Sequence, residues 1–283
     1  MILIADSGSS KADWILIDQF SIKGKYSTIG FNPYFHTEKV IFNSLKEHNE
    51  LSAISSQIEE VLFYGAGCAN ANRNVELVSA LSNFFTKAKV SVESDMLGAV
   101  RATCGNNAGI VGILGTGSNC CYFDGAKIHD NNFGLGFILG DEAGGTYFGK
   151  MLVTHYLYGN LPENLHQKFS KEYVLTKEIL LTNVYNNPGA NVWLASFAKF
   201  FVENREDAWV QNTARAGIEE FFDLYICGVK DFKNLEVHFV GTMAFYFEDI
   251  IRKIGEEKNV IVKKIIRYPV DQLAEYFLTK IRN

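Results

Sequence analysis

Four small residues, Ser7-Gly8-Ser9-Ser10, connect two apolar runs near the start of the chain. An ordinary two-residue hairpin turn needs only a pair such as Asn-Gly or Asp-Gly. Here Asp6 precedes the small residues and Lys11 follows them, so the turn carries more polar groups than chain reversal requires. Successive backbone amides in such a turn can form a nest that binds an anion. The stretch therefore predicts a phosphate-binding turn with an acid beside it.

A second turn of small residues, Gly115-Thr116-Gly117-Ser118, has the same plan. An apolar run precedes it, and another apolar run follows it and ends at Asp124-Gly125. Two units of strand, small-residue turn and strand in one chain predict an internal duplication. Two such turns, each with a carboxylate nearby, would suit a polyphosphate and its Mg²⁺, because Mg²⁺ prefers carboxylates, waters and phosphate oxygens.

Other polar clusters also lie at the ends of predicted strands or at the starts of predicted helices. Asp95 follows the short run KVSVES, Gly140-Asp141-Glu142 precedes a predicted helix, and Gly241-Thr242 follows the run LEVHFV. Taken singly, each cluster has an ordinary structural explanation, since a strand-end Asp often caps a helix. Their joint occurrence in one chain favours a nucleotide site over a set of unrelated turns.

Two glycine patterns imitate nucleotide-binding motifs without matching them. The spacing from Gly144 to Gly149-Lys150 is close to that of a P-loop, but Met151 stands where that motif needs a magnesium-binding Ser or Thr. This stretch also lies inside a predicted helix rather than between a strand and a helix. Gly134, Gly136 and Gly140 are spaced one residue too widely for a dinucleotide fingerprint. We reject both patterns as nucleotide sites.

The elements that must position the polar clusters alternate between strands and helices, which indicates an α/β fold with a hairpin at the head of each half. The predicted strands are 2–17 and 108–128, each as a hairpin, then 61–64, 89–94 and 235–241, with a further strand or loop near 26–30. The predicted helices are 38–49, 72–85, 96–104, 144–158, 177–185, 192–203, a long helix after 212, and 270–283. In the helix 72–85, the periodicity predicts a buried face of Val75, Val78, Leu81, Phe84 and Phe85. In the long helix after 212, it predicts a core stripe of Ile218, Phe221, Phe222, Tyr225 and Val229.

Composition bounds the functional classes. The chain has 283 residues, 47% of them hydrophobic, and a net charge of -5, which argues against a nucleic-acid-binding protein. No stretch reaches the ~18 apolar residues of a membrane span, and Asp6 interrupts the plan of a secretory signal. The five cysteines include the adjacent pair Cys120-Cys121 and form no CxxC motif, so neither disulfides nor a zinc site is expected. We expect a cytoplasmic protein with buried, unreactive thiols.

The chain resembles the ATPase superfamily of actin, sugar kinases and Hsp70 in four motifs, which are, in chain order, DSGSSK, ILGTGSNC, FGLGFILGDEAGG and VHFVGTM. Within that superfamily it is most similar to the N-acetylglucosamine kinase and BadF/BadG-type ATPase branch. The resemblance implies an α/β fold of two related lobes with ribonuclease H-like topology, each a mixed five-stranded sheet with helices, around a nucleotide cleft. The implied lobes are 1–107, completed by the terminal helix 270–283, and 108–269.

The resemblance also implies residue roles. Asp95 matches the catalytic base, and Asp6 would hold Mg²⁺ through water. The residues implied to bind the phosphates and adenosine of ATP are Gly8, Ser9, Ser10 and Lys11 in the first turn, Gly115, Thr116, Gly117 and Ser118 in the second, and Gly241 and Thr242. Those implied to contact the sugar are Asn32, Asp95, Thr116 and Asp141, with Gly67-Cys68 near the N-acetyl group.

The implied activity is an ATP- and Mg²⁺-dependent transfer of the γ-phosphate to the 6-hydroxyl of N-acetylglucosamine or a related amino sugar, in a homodimer. Two departures bear on the substrate. Leu135 stands where kinase members can carry Trp, and Thr242 replaces the second glycine of the adenosine motif. Two alternatives stay open: a non-catalytic nucleotide or sugar sensor on the same fold, and a BadF-type activator ATPase with an iron–sulfur cluster.

Overall fold

The computed structural model describes residues 1–129 and 134–282. The described chain forms two compact units, the first made of Met1–Asn107 and the chain from Tyr268 onward, the second of Ala108–Arg267. Two parts of the predicted pattern lie outside the described residues: Phe133, which begins the motif FGLGF, and Asn283, the last residue of the predicted terminal helix.

The first unit is built on a mixed five-stranded sheet with the order β3-β2-β1-β4-β5. β1 is antiparallel to β2 and parallel to β4, and β4 is parallel to β5. Both faces of this sheet are covered, so β1 is a continuous apolar run rather than an alternating one. The strands are β1 (Ile2–Ser7), β2 (Lys11–Ile17), β3 (Ile22–Ile29), β4 (Glu60–Gly65) and β5 (Lys89–Ser94).

In the described part of the second unit, the sheet also has five strands, in the order β10-β9-β6-β7-β8. Read from the other edge, this is the strand order of the first sheet: third, second, first, fourth, fifth. The predicted duplication and the predicted fold class are therefore confirmed. The strands are β6 (Gly109–Leu114), β7 (Ser118–Phe123), β8 (Ile128–His129), β9 (Glu236–Val240) and β10 (Ile261–Ile266).

Helices cover the two sheets. The first unit contains α1 (Glu38–Glu47), α2 (Asn49–Ile54), α3 (Val75–Phe84) and α4 (Asp95–Thr103). The second contains α5 (Gly136–Leu139), α6 (Gly145–Leu157), α7 (Glu163–Glu172), α8 (Lys177–Leu181), α9 (Ala190–Ser196), α10 (Ala198–Glu203), α11 (Ala208–Phe221), α12 (Thr242–Tyr246) and α13 (Glu248–Lys258). α14 (Pro269–Arg282) returns to the first unit.

The two faces of the first sheet carry separate cores. One face packs against α1 and α3 around Trp14, which is fully buried. The other face packs against α4 and α14. Asp6 pairs across the hairpin with Asp13, and Ile4 and Ile15 occupy a neighbouring pair on the face that α14 covers. The acids therefore lie on the α4 and α14 side of the sheet.

The predicted buried face of the helix 72–85 is wrong at its start. Val75 is 64% exposed, whereas Leu77 and Leu81 are fully buried. The helix begins only at Val75, so the inward stripe runs through Leu77, Leu81 and Phe84 instead. That stripe fits the same helical period with a different phase.

The second unit differs from the prediction in its helices. The predicted helix 177–185 ends at Leu181 and continues as a π-helical turn, Thr182–Asn186. The predicted helix 192–203 is two helices, α9 and α10, that break at Phe197. The long helix after 212 begins earlier, at Ala208, and passes into a second π-helical turn, Phe222–Ile226. The predicted stripe of that helix is confirmed as core, since its members from Ile218 to Val229 are buried.

No helix among residues 1–129 and 134–282 combines the length and the apolar character needed to cross a bilayer.

Candidate functional site

The first turn joins β1 to β2. The Gly8 amide donates to the Lys11 carbonyl over 2.9 Å and closes the turn. Gly30 lies directly against it, because a Cβ at position 30 would fall 2.1 Å from the Gly8 carbonyl oxygen. The Asn32 side-chain amide donates to Ser9 Oγ over 3.4 Å. The backbone of the segment after β3 therefore packs directly against the first turn. Only glycine at position 30 permits this close approach, because it has no Cβ.

Lys11 does not extend freely from this turn. Its ammonium forms an ion pair with Asp13 at 2.7 Å and lies 5.6 Å from the ring centre of Tyr268. Asp13 Oδ1 also accepts a hydrogen bond from Ser27 Oγ at 2.7 Å. Asp13 thus fixes the position of the Lys11 side chain. It was not among the predicted site residues, although its place two residues after Lys11 on the same strand face could have indicated it.

Asp95 begins α4 directly after β5. Ser94 is the N-cap, since its side chain accepts from the Leu97 amide at 3.2 Å. The Asp95 carboxylate accepts the Met96 amide at 2.9 Å. β4 and β5 run parallel to β1, so Asp95 and Asp6 lie at the same end of one sheet. The sequence order alone could not show this neighbourhood.

The electrostatics of the two acids support a shared role. Burial raises the pKa of Asp6 to about 7, with further increases from the charges of Asp95 and Asp13. Burial also raises the pKa of Asp95, although two backbone amides oppose the shift. A half-buried carboxylate whose pKa is raised by burial and by a neighbouring carboxylate is stabilised by a proton or a cation beside it. This donor set fits Mg²⁺, which prefers one or two carboxylates with waters and phosphate oxygens.

Asn32, predicted to contact the sugar, is only 6% exposed. Its Oδ1 accepts the Tyr34 amide at 2.9 Å. Gly67 has φ +80, and a Cβ there would lie 2.7 Å from Asn32 Oδ1. The neighbouring Cys68 has its pKa raised to about 12, chiefly by burial and then by the charge of Asp95. The structure thus brings Asn32, Gly67, Cys68 and Asp95 into one region of the first unit.

The described cysteines form no disulfide. Cys68, Cys104, Cys120 and Cys121 are buried, and Cys227 is half-buried. Burial raises the pKa of Cys120 well above its ordinary value, so this thiol stays protonated at neutral pH.

The second turn, Gly115 to Ser118, is held by the start of α6. The Gly145 and Thr146 amides donate to the Gly115 and Thr116 carbonyls, each over 2.8 Å. Thr146 Oγ1 also donates to the Thr116 carbonyl at 2.8 Å. The carbonyl groups of this turn therefore face the helix. Ser118 Oγ is buried and has no hydrogen-bond partner among the described residues.

Asp141 is placed against this second turn. Its Oδ1 accepts the Ser118 amide at 3.1 Å, and a Cβ on Gly117 would fall 2.6 Å from Oδ2. Asp141 and Ala143 have φ values of 63 and 60, which cost a non-glycine residue about 1–2 kcal/mol each. Such backbone strain persists where the surrounding structure enforces it, often at functional sites.

Gly241 and Thr242 lie where β9 passes into α12. Gly241 has φ +117, and a Cβ there would lie 2.3 Å from the Leu114 carbonyl oxygen, next to the second turn. Only glycine satisfies both conditions. The structure therefore brings Gly241 together with the second turn, in the second unit.

The rejected glycine patterns have structural explanations. A Cβ on Gly149 would lie 1.9 Å from the Leu194 carbonyl oxygen, so this glycine allows α6 and α9 to pack closely. Gly134 and Gly136 have φ values of 76. They flank Leu135, which is 64% exposed. The position at which kinase members can carry Trp is thus an exposed leucine in this chain.

Comparison with solved structures identifies the relationship. A Porphyromonas gingivalis protein, described as a candidate N-acetylglucosamine kinase, is 33% identical to this chain, covers 99% of both chains and superimposes with a TM-score of 0.91. The chain belongs to the N-acetylglucosamine kinase family. The four motifs that resemble this family therefore lie in this chain within a matching fold.

More distant structures share the fold of this family member. A candidate N-acetylglucosamine kinase from Chromobacterium violaceum has a TM-score of 0.69 at 16% identity, with 98% of each chain covered. A ROK family glucokinase from Streptomyces griseus, in complex with glucose and AMPPNP, has a TM-score of 0.56 at 15% identity over 97% of this chain and 98% of its own. Neither a family model nor a curated protein sequence matches the chain.

Gly117→Ala in this family member tests the contact between the second turn and Asp141. The new Cβ would displace the carboxylate and break its bond to the Ser118 amide. Because a hydrogen bond to a charged group contributes about 1.5–3 kcal/mol, we expect ATP to bind about 10- to 100-fold more weakly. Titration calorimetry with ATP measures this.

Gly228→Ala is the control in the same unit, since Gly228 lies outside the second turn and a Cβ there would meet only the Leu224 carbonyl oxygen, at an ordinary 3.6 Å. It should leave ATP affinity unchanged. Equal affinities for the two variants would show that the contact between Asp141 and the second turn does not support nucleotide binding.

Proposed function

We propose that this chain is an ATP-dependent sugar kinase that transfers the γ-phosphate of ATP to the 6-hydroxyl of N-acetylglucosamine or a related amino sugar. The observation that carries the proposal is the pair of half-buried carboxylates, Asp6 and Asp95, at one end of the first sheet. A binding protein needs neither a metal carboxylate nor a base, whereas a kinase needs both.

Asp95 is proposed as the general base. It accepts the proton of the sugar hydroxyl as the oxygen forms its bond to the γ-phosphorus and the bond to the departing ADP breaks. Burial raises the pKa of Asp95 toward neutral pH, which makes the carboxylate a stronger base for the proton that leaves the hydroxyl late in the reaction. Its place at the start of α4, held by the Met96 amide, fixes the direction of the carboxylate.

The remaining residues position the substrates. The amides of the first turn and Lys11 would hold phosphate oxygens, with Asp13 keeping Lys11 in place. The second turn, with the unpartnered Ser118 hydroxyl, would hold phosphate as well. Mg²⁺ held near Asp6 would neutralise phosphate charge. Asn32 and Gly67 form the part of the first unit proposed to meet the sugar, and Asp141 is proposed to accept a sugar hydroxyl.

A coupled ADP-release assay with Mg-ATP across a panel of hexoses and amino sugars tests the proposal. The expected result is ADP release that depends on N-acetylglucosamine or a close relative. Calorimetry with ATP accompanies the assay. Absence of sugar-dependent release across the panel, in a protein that binds ATP, would refute the kinase and favour the sensor alternative.

A further inference from the structure

Glu142 lies between the two strained residues of the loop Gly140-Asp141-Glu142-Ala143. Its side chain is hydrogen-bonded to Tyr225. The Tyr225 hydroxyl donates to Glu142 Oε2 at 2.5 Å, across 83 positions of sequence. Neither residue is among the site residues predicted from the sequence, and neither has a role in the proposed reaction.

The surroundings of Tyr225 fix its ring. It is 4% exposed, and its ring stacks on Phe221 with centres 4.7 Å apart. Burial and the bond to Glu142 raise the pKa of its hydroxyl, so the phenol stays protonated, and can donate, at neutral pH. A neutral donor satisfies Glu142 without adding a positive charge to a loop that carries two carboxylates.

The backbone beneath Tyr225 is unusual. α11 ends at Phe221, and the next turn, Phe222–Ile226, is π-helical, closed by the Cys227 amide donating to the Phe222 carbonyl at 2.9 Å. A π turn inserts a residue into a helix and rotates the residues after it, and such turns are frequent at functional sites. Here the π turn holds the phenol that reaches Glu142.

A continuous set of contacts leads from Tyr225 to the second turn. Tyr225 holds Glu142, which lies between Asp141 and Ala143, and Asp141 Oδ1 accepts the Ser118 amide. The Gly144 amide donates back to the Asp141 carbonyl at 2.9 Å. Within the loop, the Glu142 side chain is thus hydrogen-bonded to the π turn after α11, and the side chain of its neighbour Asp141 is hydrogen-bonded to the second turn.

We propose that Tyr225 is a positioning residue that acts through Glu142 to hold Asp141 at the second turn. The effect on the reaction rests on the proposed kinase function; the effect on the loop does not. Without the phenol, the strained residues on either side of Glu142 relax toward ordinary backbone, and the Asp141 carboxylate leaves the Ser118 amide.

Two variants and their combination test the coupling: Tyr225→Phe, Glu142→Ala and both together. Tyr225→Phe is expected to lower kcat/KM for the sugar about 10-fold. Because the two residues act as a unit, the kcat/KM of the double variant should equal that of the less active single variant. Tyr147→Phe is the matched control, since Tyr147 donates to Glu220 Oε2 at 3.2 Å in the same unit. Equal effects of the two Tyr→Phe changes, or additive effects of Tyr225→Phe and Glu142→Ala, would overturn the proposal.

Hydrogen exchange of the peptides covering 140–146 and 115–118 gives a readout that needs no activity. Each variant is measured at the same number of degrees below its own melting temperature. Under these conditions Tyr225→Phe should speed exchange in both peptides, whereas Tyr147→Phe should leave both unchanged. Unchanged exchange in Tyr225→Phe overturns the positioning role. If the wild-type chain phosphorylates no sugar, the proposed function fails and exchange alone decides the role of Tyr225.

Discussion

Asp95→Asn is expected to lower kcat by about 10²–10⁴-fold, the contribution of a positioned general base. The amide keeps the size of the carboxylate and can still accept the Met96 amide, so α4 should begin at the same residue. The amide lacks the ability to take the hydroxyl proton. ATP affinity should change little, because the base is proposed to act on the sugar.

Steady-state kinetics with the acceptor found in the sugar panel, together with ATP calorimetry, measures both parts of this result. Asp18→Asn is a control in the same unit, since Asp18 is an acid of the β2–β3 hairpin that pairs with Lys23 at 2.7 Å. It should retain wild-type turnover. Turnover preserved in Asp95→Asn would exclude this residue as the base.

Asp6→Asn is expected to change stability and Mg²⁺ binding in opposite directions. Burial raises the pKa of Asp6 from 3.8 to about 7 in the folded protein. Between these values the folded chain holds a proton that the unfolded chain has lost, so the free energy of unfolding falls as pH rises, by up to about 1.4 kcal/mol per pH unit. This stability is complete below pH 3.8 and lost as pH passes through about 7.

The asparagine variant carries no such titration. Without Mg²⁺ and above pH 7, it should therefore be more stable than the wild type, and its stability should vary less between pH 5 and 7. Its Mg²⁺ affinity in the presence of ATP should fall about 10–100-fold. Urea unfolding across this pH range and Mg²⁺-dependent kinetics provide the two measurements. A variant that is destabilised at pH 8, or that keeps wild-type Mg²⁺ dependence, would contradict the role proposed for Asp6.

The sequence predicted the parts of the molecule that depend on local pattern. A short stretch of sequence contains the turn or the hydrophobic period that defines each of these parts. They are both hairpins, the strand before Asp95 and the buried stripe from Ile218 onward. The repeated plan of strand, small-residue turn and strand indicated the duplication that the two strand orders confirm. The places of Gly8 and Gly117 in tight turns follow from the same local reasoning.

The features that could not be predicted depend on distant contacts or on broken periods. β10 was missed because its register with β9 shifts between Val262 and Ile265, and Lys263-Lys264 falls in that interval. α7 was missed because it buries only Leu165 and Phe169. The bond from Tyr225 to Glu142 joins residues far apart in sequence through a π turn, for which the sequence has no recognisable signal.

The first unit combines two segments from distant parts of the chain, and this separation constrains the order in which the cores can form during folding. Ile4 and Ile15 are buried against Val270 and Leu273 of α14, which is synthesised after the whole of the second unit. The continuous segment 108–267 contains all the residues of its own core, whereas the sheet made first exposes one face until α14 is available. The first sheet, although it is made first, can therefore cover its second face only after residues 108–267 have been made.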